Sequence, residues 1–227
     1  MENYIGKKSS LGVQEISIDA KSLAEQHVFN VTKRIFDVLA SAVALVLLAP
    51  VFLILALIIK LDDPAGPVFF SQVRIGKNGQ HFRMYKFRSM CVDAESKLNQ
   101  LVKQNEVKGA MFKIKDDPRI TKIGHFIRKT SLDELPQLYN VLRGEMSLVG
   151  PRPCLPRELK KYTQYDKQRL LAIPGCTGLW QVSGRNALSF EQMVQLDLQY
   201  ISNRSLLNDV IILFRTVKII FFPNQAY

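Results

Sequence analysis

Asp133 and Glu134 stand side by side in the run SLDELPQL, residues 131–138. Ser131 precedes Glu134 by three residues, the spacing of a capping box, and Pro136 belongs near a helix start. The pattern predicts a helix over Leu132–Leu142, stopped by Gly144, with both acids in its first turn. Acids are favoured there for stability alone, because free N–H groups and the positive end of the helix dipole gather at that end. Adjacent side chains on a helix diverge by about 100°, so the two carboxylates cannot share one proton as a close dyad does. Separate roles suit them. One can attack phosphorus as a carboxylate nucleophile, and its neighbour can hold a divalent cation such as Mg2+ through hard oxygen ligands. Arg119, Lys122, Arg128 and Lys129 precede the pair, and Arg143 and Arg152 follow it. Lys86, Arg88, Arg128 and Arg152 are candidates to clamp phosphate oxygens, the arginines in bidentate fashion. Arg152 lies between Pro151 and Pro153, which fix the backbone on both sides.

The composition favours an anionic partner. Lys and Arg number 31 against 20 Asp and Glu, a formal charge of +11 in 227 residues. Residues 1–37 are balanced and residues 38–59 carry no charge, so the excess lies in residues 60–227. Such a body suits a nucleotide, a nucleic acid or an acidic leaflet. Cys91, Cys154 and Cys176 make an odd count without metal-ligand spacing. That argues for a reducing compartment and buried, inert thiols.

Val38–Ile59 is an uncharged apolar run of 22 residues. As a straight helix it would reach about 33 Å, enough to cross a bilayer core. Pro50 interrupts it, and basic residues flank both ends: Lys33 and Arg34 before, Lys60, Arg74 and Lys77 after. Basic flanks prefer the cytoplasmic side, so the residues leave two forms open, a spanning helix and a hairpin that enters and returns at Ala49-Pro50. Residues 206–222 are a second apolar stretch, interrupted by Asp209, Arg215 and Lys218. They suit an interfacial helix with snorkelling cations or a core helix closing the domain.

The rest of the chain must position the acids. Residues 1–30 read as a mobile polar tail ending in a short helix near Ala20–Asn30. Val68–Arg74 and His81–Phe87 are predicted strands around Gly76–Gly79, where Asn78-Gly79 is a strong hairpin signal. Asp93–Lys103 and Ile120–Lys129 read as helices, with an irregular stretch between them. Met146–Val149 is a short apolar run, Glu158–Leu171 a charged helix, Pro174–Gly178 a tight loop, and Ser189 the cap of a final helical region.

Several motifs together resemble the bacterial sugar transferases, the monotopic polyprenyl-phosphate phosphoglycosyl transferases. They are KRIFD at 33–37, FSQVRIG at 70–76, YKFRSM at 85–90, DPRIT at 117–121, SLDELPQL at 131–138, MSLVGPRP at 146–153 and GLWQV with GRN at 178–186. The resemblance covers roughly residues 31–222. It implies an α+β, mainly helical fold with a re-entrant membrane helix hairpin at 31–61. A small cytosolic domain, residues 62–227, would carry a β-hairpin and amphipathic interfacial helices. It also implies transfer of a sugar-1-phosphate from a UDP-sugar to undecaprenyl phosphate with release of UMP, initiating exopolysaccharide, capsule, O-antigen or another glycan. Asp133 would be the nucleophile of a covalent intermediate and Glu134 the Mg2+ ligand. Lys86, Arg128 and Arg152 would hold phosphate or nucleotide, joined by Arg88, Gln137 and Arg185. The implied partners are the UDP-sugar, the polyprenyl phosphate and membrane lipids, without nucleic acid and with a homo-oligomer left open. The implied location is the cytoplasmic face of the bacterial inner membrane. Two departures stand out. The break is Ala49-Pro50 where relatives often have Ser-Pro, and Cys154 and Cys176 stand where relatives often carry aliphatic residues.

The competing readings are a membrane-bound assembly partner without catalysis, a membrane-tethered nucleic-acid binder, and a phosphatase using the same carboxylate with water as acceptor.

Overall fold

The apolar run folds as two helices rather than one. In the computed structural model, which describes residues 16–94, 96–97, 114, 117–184 and 187–222, a short helix α1 (Ala20–Glu25) leads into α2 (His27–Leu47) and α3 (Ala49–Asp62). The axes of α2 and α3 bend by 60° at Leu48, and no single helix among the described residues is long and apolar enough to cross a membrane. Pro50 causes the break: it cannot donate to a carbonyl one turn back, but it fits the first turn of α3. Much of the apolar surface of the pair is bare, including Leu39, Val43, Val46, Leu53, Ile54 and Leu57.

Both ends of this pair are tied to the same body. At the α2 end Lys33 donates to Asp209, Arg34 donates to the carbonyls of Val141 and Leu142, and Asp37 accepts from the backbone of Leu148. At the α3 end Arg88 holds Asp63 through both its carboxylate, at 2.7 Å, and its carbonyl, at 2.6 Å. The tail is docked from Ile16 onward: Ile16 and Ile18 pack on the main core, and Leu23 is buried in it.

The predicted hairpin is present as antiparallel strands β1 (Phe69–Ile75) and β2 (His81–Phe87), with Phe69 opposite Phe87 and Ile75 opposite His81. Asn78 and Gly79 both take positive φ, as their sequence signal requires. The helix expected over Asp93–Lys103 falls largely outside the described residues. Helix α4 (Lys122–Lys129) follows, capped by the Thr121 side chain. The segment from Leu132 is not one helix: a 3-10 turn, Leu132–Glu134, precedes α5 (Gln137–Arg143), which Gly144 ends in the left-handed conformation.

The run at 146–149 is β3 (Ser147–Val149). The segment expected as a loop at 174–178 is a strand, β4 (Gly175–Thr177), parallel to β3. Gly150 and Gly175 lie backbone against backbone, where a side chain on either would strike the other segment. Long-range pairing of this kind leaves no local pattern, so the three-residue strand reads as a turn in sequence. The charged helix at 158–171 is divided into α6 (Pro156–Leu159), α7 (Gln164–Lys167) and a 3-10 turn at Gln168–Leu171, because a Thr163–Asp166 capping box starts a new helix. Three helices close the chain: α8 (Leu179–Ser183), α9 (Phe190–Ser202) with Ser189 as cap, and α10 (Leu206–Phe221). One side of helix α10 closes the domain and the other is exposed. Asp209 and Ile212 are buried against the domain, while Leu207, Phe214 and Val217 are exposed.

The main core gathers Phe82 and Met84 of β2, Val141 of α5, Leu148 and Val149 of β3, and Val194, Leu198 and Ile201 of α9. A second cluster joins Leu55 and Ile59 of α3 to Phe87 and Ile127, with Leu132 and Leu135 packed on it. Those two leucines flank the acid pair, so the pair is fixed to the end of the apolar helices. Among the described residues the fold is mainly helical with two small two-stranded sheets.

Candidate active site

Asp133 and Glu134 sit in the 3-10 turn between α4 and α5, not in the first turn of a helix. The expected capping box is absent. Ser131 adopts φ 58° and ψ 16° and its side chain caps nothing, while the Glu134 side chain turns away to Lys86. A non-glycine residue in this left-handed region costs about 1–2 kcal/mol. Backbone bonds on both sides hold it there: Ser131 N–H donates to Arg128 O, and Ser131 O accepts from Glu134 N–H, each at 3.2 Å. The kink swings both acids toward β2.

Lys86 Nζ lies 2.5 Å from Glu134 Oε1 and 3.8 Å from Asp133 Oδ2. The two acids, expected to diverge, therefore share one ammonium. Their environments differ. Asp133 is 7% exposed. Burial pushes its carboxyl up to about 6, with Lys86 and Arg128 opposing and the Glu134 charge adding to the rise. The Glu134 side chain keeps 37% of its surface. Burial raises it as well, but Lys86, Arg152 and Arg74 outweigh that and hold it below the usual range. At neutral pH Glu134 is firmly ionised. Asp133 is a more basic carboxylate, still mostly ionised, in a less solvated place. Such a group is suited to attack an electrophile.

Arg128 is exposed on α4, and its charge acts on Asp133. Arg152 is half-buried in the loop after β3, and its charge acts on Glu134 and on Arg74. Gln137 is buried as the first residue of α5. Arg88 is placed elsewhere than its sequence reading: its guanidinium is 6% exposed and bound to Asp63, so it ties β2 to α3. Arg185 lies outside the described residues. Two small clefts flank Arg152, and Trp180, whose buried Nε1 has no hydrogen-bond partner among the described residues, lines the second.

Sequence reasoning did not assign two residues that shape this site. Arg74 on β1 is buried. It donates to Pro153 O at 3.1 Å and to Gln72 Oε1 at 3.0 Å, so it braces the Arg152 loop. Burial, then repulsion from Arg152, lowers it to about 10, while Glu158 and Glu134 pull the other way. Asn140 on α5 is fully buried. Its Oδ1 accepts from Tyr85 N–H at 3.0 Å, and its Nδ2 donates to Arg83 O and Glu145 Oε2 at 2.7 Å each. It thus fixes the strand carrying Lys86 to the helix that follows the acids. A polar residue beside Val141 on the buried side of α5 was the available signal.

Among the described residues no cluster of three His, Cys, Asp or Glu side chains could hold a metal by itself. The donor set does fit a weakly held Mg2+. Lys86 engages only one Glu134 oxygen, the side chain is partly exposed, and Mg2+ usually takes one or two carboxylates with water and substrate phosphate. The cysteines are free; Cys154 is buried as expected, whereas Cys91 and Cys176 are only half-buried, and desolvation raises all three thiols.

A shared ammonium, a buried carboxylate and guanidiniums on two sides are the groups that phosphate chemistry would use. Comparison with known proteins gives it a family. The model of the family described as "Bacterial sugar transferase" matches residues 28–223. The chain belongs to the bacterial sugar transferase family. It is 49% identical over 197 residues to the galactosyl transferase CpsE of Streptococcus agalactiae serotype III, covering 86% of this chain and 43% of the relative. It is 45% identical over 199 residues to the undecaprenyl-phosphate galactose phosphotransferase of Salmonella typhimurium, covering 86% and 41%. It is 44% identical over 202 residues to the exopolysaccharide production protein ExoY of Rhizobium meliloti, covering 87% and 89%. The chain thus spans less than half the length of the first two relatives and most of the third. The match contains every element that builds the acid-pair site.

Proposed function

We propose that this bacterial sugar transferase is a membrane phosphoglycosyl transferase. It moves a sugar-1-phosphate from a UDP-sugar to undecaprenyl phosphate and starts a polysaccharide on that lipid. The observation that carries the reading is the Lys86 ammonium shared by a buried, basic Asp133 and an ionised Glu134. An Asp133 oxygen attacks the β-phosphorus of the donor. The bond from that phosphorus to the bridging oxygen breaks, and UMP leaves with the electron pair. The resulting aspartyl phosphosugar is then attacked by an oxygen of the lipid phosphate. The acyl phosphate bond breaks, Asp133 is restored as a carboxylate, and a lipid diphosphate sugar forms. Lys86 orients both acids and counters phosphate charge, and Arg128 and Arg152 bind phosphate oxygens from two sides. Glu134 would ligate Mg2+, which when bound neutralises phosphate charge and eases departure of UMP.

The docking of both ends of the α2–α3 pair on one body supports a re-entrant hairpin, since the ends of a spanning helix part by about 30 Å. The catalytic body then sits on the cytoplasmic face of the inner membrane, with the acids near the headgroups.

UMP release from a panel of UDP-sugars, with undecaprenyl phosphate and Mg2+, tests this reading. Lipid-dependent UMP from one sugar, lost in Asp133→Asn, is expected. UMP formed without lipid would point to hydrolysis, and turnover by Asp133→Asn would overturn the nucleophile assignment.

A further inference from the structure

The face of the β-hairpin that carries Lys86 also carries an aromatic ring that the proposed chemistry leaves unused. Phe70 stands directly opposite Lys86 in the β1–β2 register. Arg88 N–H donates to Val68 O, so the pair two residues on, Phe70 and Lys86, is again a closely hydrogen-bonded one, with Cα atoms about 5.5 Å apart. Residues paired in this way project from the same face of the two strands. Phe70 keeps 40% of its surface and belongs to none of the core clusters among the described residues. Its neighbour Phe69, on the opposite face, does have a partner: its ring stacks on Phe87 at 5.2 Å. Packing therefore gives no reason for an exposed ring beside the ammonium that holds both acids.

The same face changes character along β1. Val68, just before the strand, packs on the cluster that holds Leu55 and Ile59 of α3, and Arg88 beside it binds Asp63 at the end of that helix. Gln72 and Arg74 follow Phe70 on this face, and Arg74 braces the Arg152 loop through Pro153 O. At the rise of a β-strand, Phe70 is about 7 Å from Val68 and about 14 Å from Arg74. The Lys86 site thus has an apolar wall toward the apolar helices and a cationic wall toward Arg152. The two phosphates of the proposed reaction differ in what they carry: UMP has a hydroxylated ribose, and the lipid phosphate has a branched hydrocarbon. The ribose suits the Arg152 side, and the hydrocarbon suits the ring, which gains by leaving water with it.

We propose that Phe70 contacts the first isoprene units of the polyprenyl phosphate acceptor and so holds its phosphate at Lys86, on the side away from the path that UMP takes. The proposal rests on the reaction given above. The ring selects by shape as well as by hydrophobicity. Methyl-branched, unsaturated units lie flat on an aromatic face, and a straight alkyl chain covers less of it.

The test separates the two half-reactions in the full-length protein. Without lipid, label from UMP enters the UDP-sugar only through the phosphosugar enzyme, so this exchange reads the donor half alone. For the acceptor half, farnesyl phosphate and dodecyl phosphate offer the same backbone length with and without isoprene branching. The wild type should prefer farnesyl phosphate in kcat/KM. Phe70→Ala should raise the KM for farnesyl phosphate about tenfold, lower exchange much less, and bring the farnesyl-to-dodecyl ratio close to one. Phe70→Leu, which keeps an apolar side chain, should recover part of the KM but not the ratio. Exchange lost in step with acceptor turnover would give the ring to the donor or to the fold and overturn the inference. An unchanged farnesyl KM or an unchanged ratio would overturn it as well, with the proposed reaction left standing. A wild type that shows neither exchange nor turnover would overturn the proposed reaction and this inference with it.

Discussion

Lys86 and Lys33 each reach two carboxylates at nearly the same spacing. Lys86 is 2.5 Å from Glu134 and 3.8 Å from Asp133, and Lys33 is 2.5 Å from Asp209 and 3.9 Å from Asp37. The trios differ in what else holds their oxygens. Asp209 also accepts from Tyr200 Oη at 2.7 Å, and Asp37 accepts from Leu148 N–H at 3.2 Å. Both are almost fully buried, at 1% and 3% exposure. That trio is closed, and it joins α2, β3, α9 and α10. Around Lys86 the acids retain oxygen capacity, and Glu134 keeps open surface. Composition is therefore a poor guide to chemistry. Saturation marks the Lys33 trio as structural, while unspent hydrogen-bonding capacity leaves the Lys86 trio able to meet a substrate, as the proposed reaction requires.

Substitutions at the two aspartates should separate these roles most sharply. Asp133→Asn should lower turnover at least about a thousandfold, read as lipid-dependent UMP release. It should also stabilise the protein at pH 7–8. The folded carboxyl is raised from 3.8 to about 6, so its contribution to stability is full below 3.8 and lost as pH rises through 6. Removing the charge should regain up to about 3 kcal/mol, measured by thermal unfolding in detergent. Asp209→Ala should do the reverse. It strands Lys33 and Tyr200 in a buried place and should cost about 3–5 kcal/mol, while the folded fraction keeps its turnover. Equal loss of chemistry in both variants would remove the distinction.

Glu134→Gln should raise the Mg2+ concentration needed for half-maximal rate by about tenfold to a hundredfold. An unchanged metal titration would take Glu134 out of the metal site and leave it as the orienting partner of Lys86. The smallest effect is the acid limb of the pH–rate profile. It should centre near pH 6, with the rate at pH 5 about a tenth of that at pH 7, because protonated Asp133 cannot attack. A limb near pH 4 would mean that Lys86 holds Asp133 more tightly than its burial disfavours the charge.

Local chemistry carried a good part of this architecture. Asn78-Gly79 set the hairpin, Ser189 capped α9, Gly144 ended α5 and Pro50 broke the apolar run, each through a backbone preference read within a few residues. The acid pair, the lysine and Arg152 were visible as residue types suited to phosphate. The resemblance carried by the motifs agreed with the family match. What residue type could not say was which groups meet. Lys86 and Glu134 are 48 positions apart, and Lys33 and Asp209 are 176. Such contacts follow from how helices and strands pack, not from local pattern. Arg88 had the same credentials as Lys86 two positions earlier, yet packing gave it to Asp63 and gave Lys86 the acids. The left-handed Ser131, the division of the expected helix at Leu132–Leu142 and the parallel strand at Gly175–Thr177 have the same origin. Each is favourable only because distant partners satisfy the backbone and side chains that local preference would have satisfied differently.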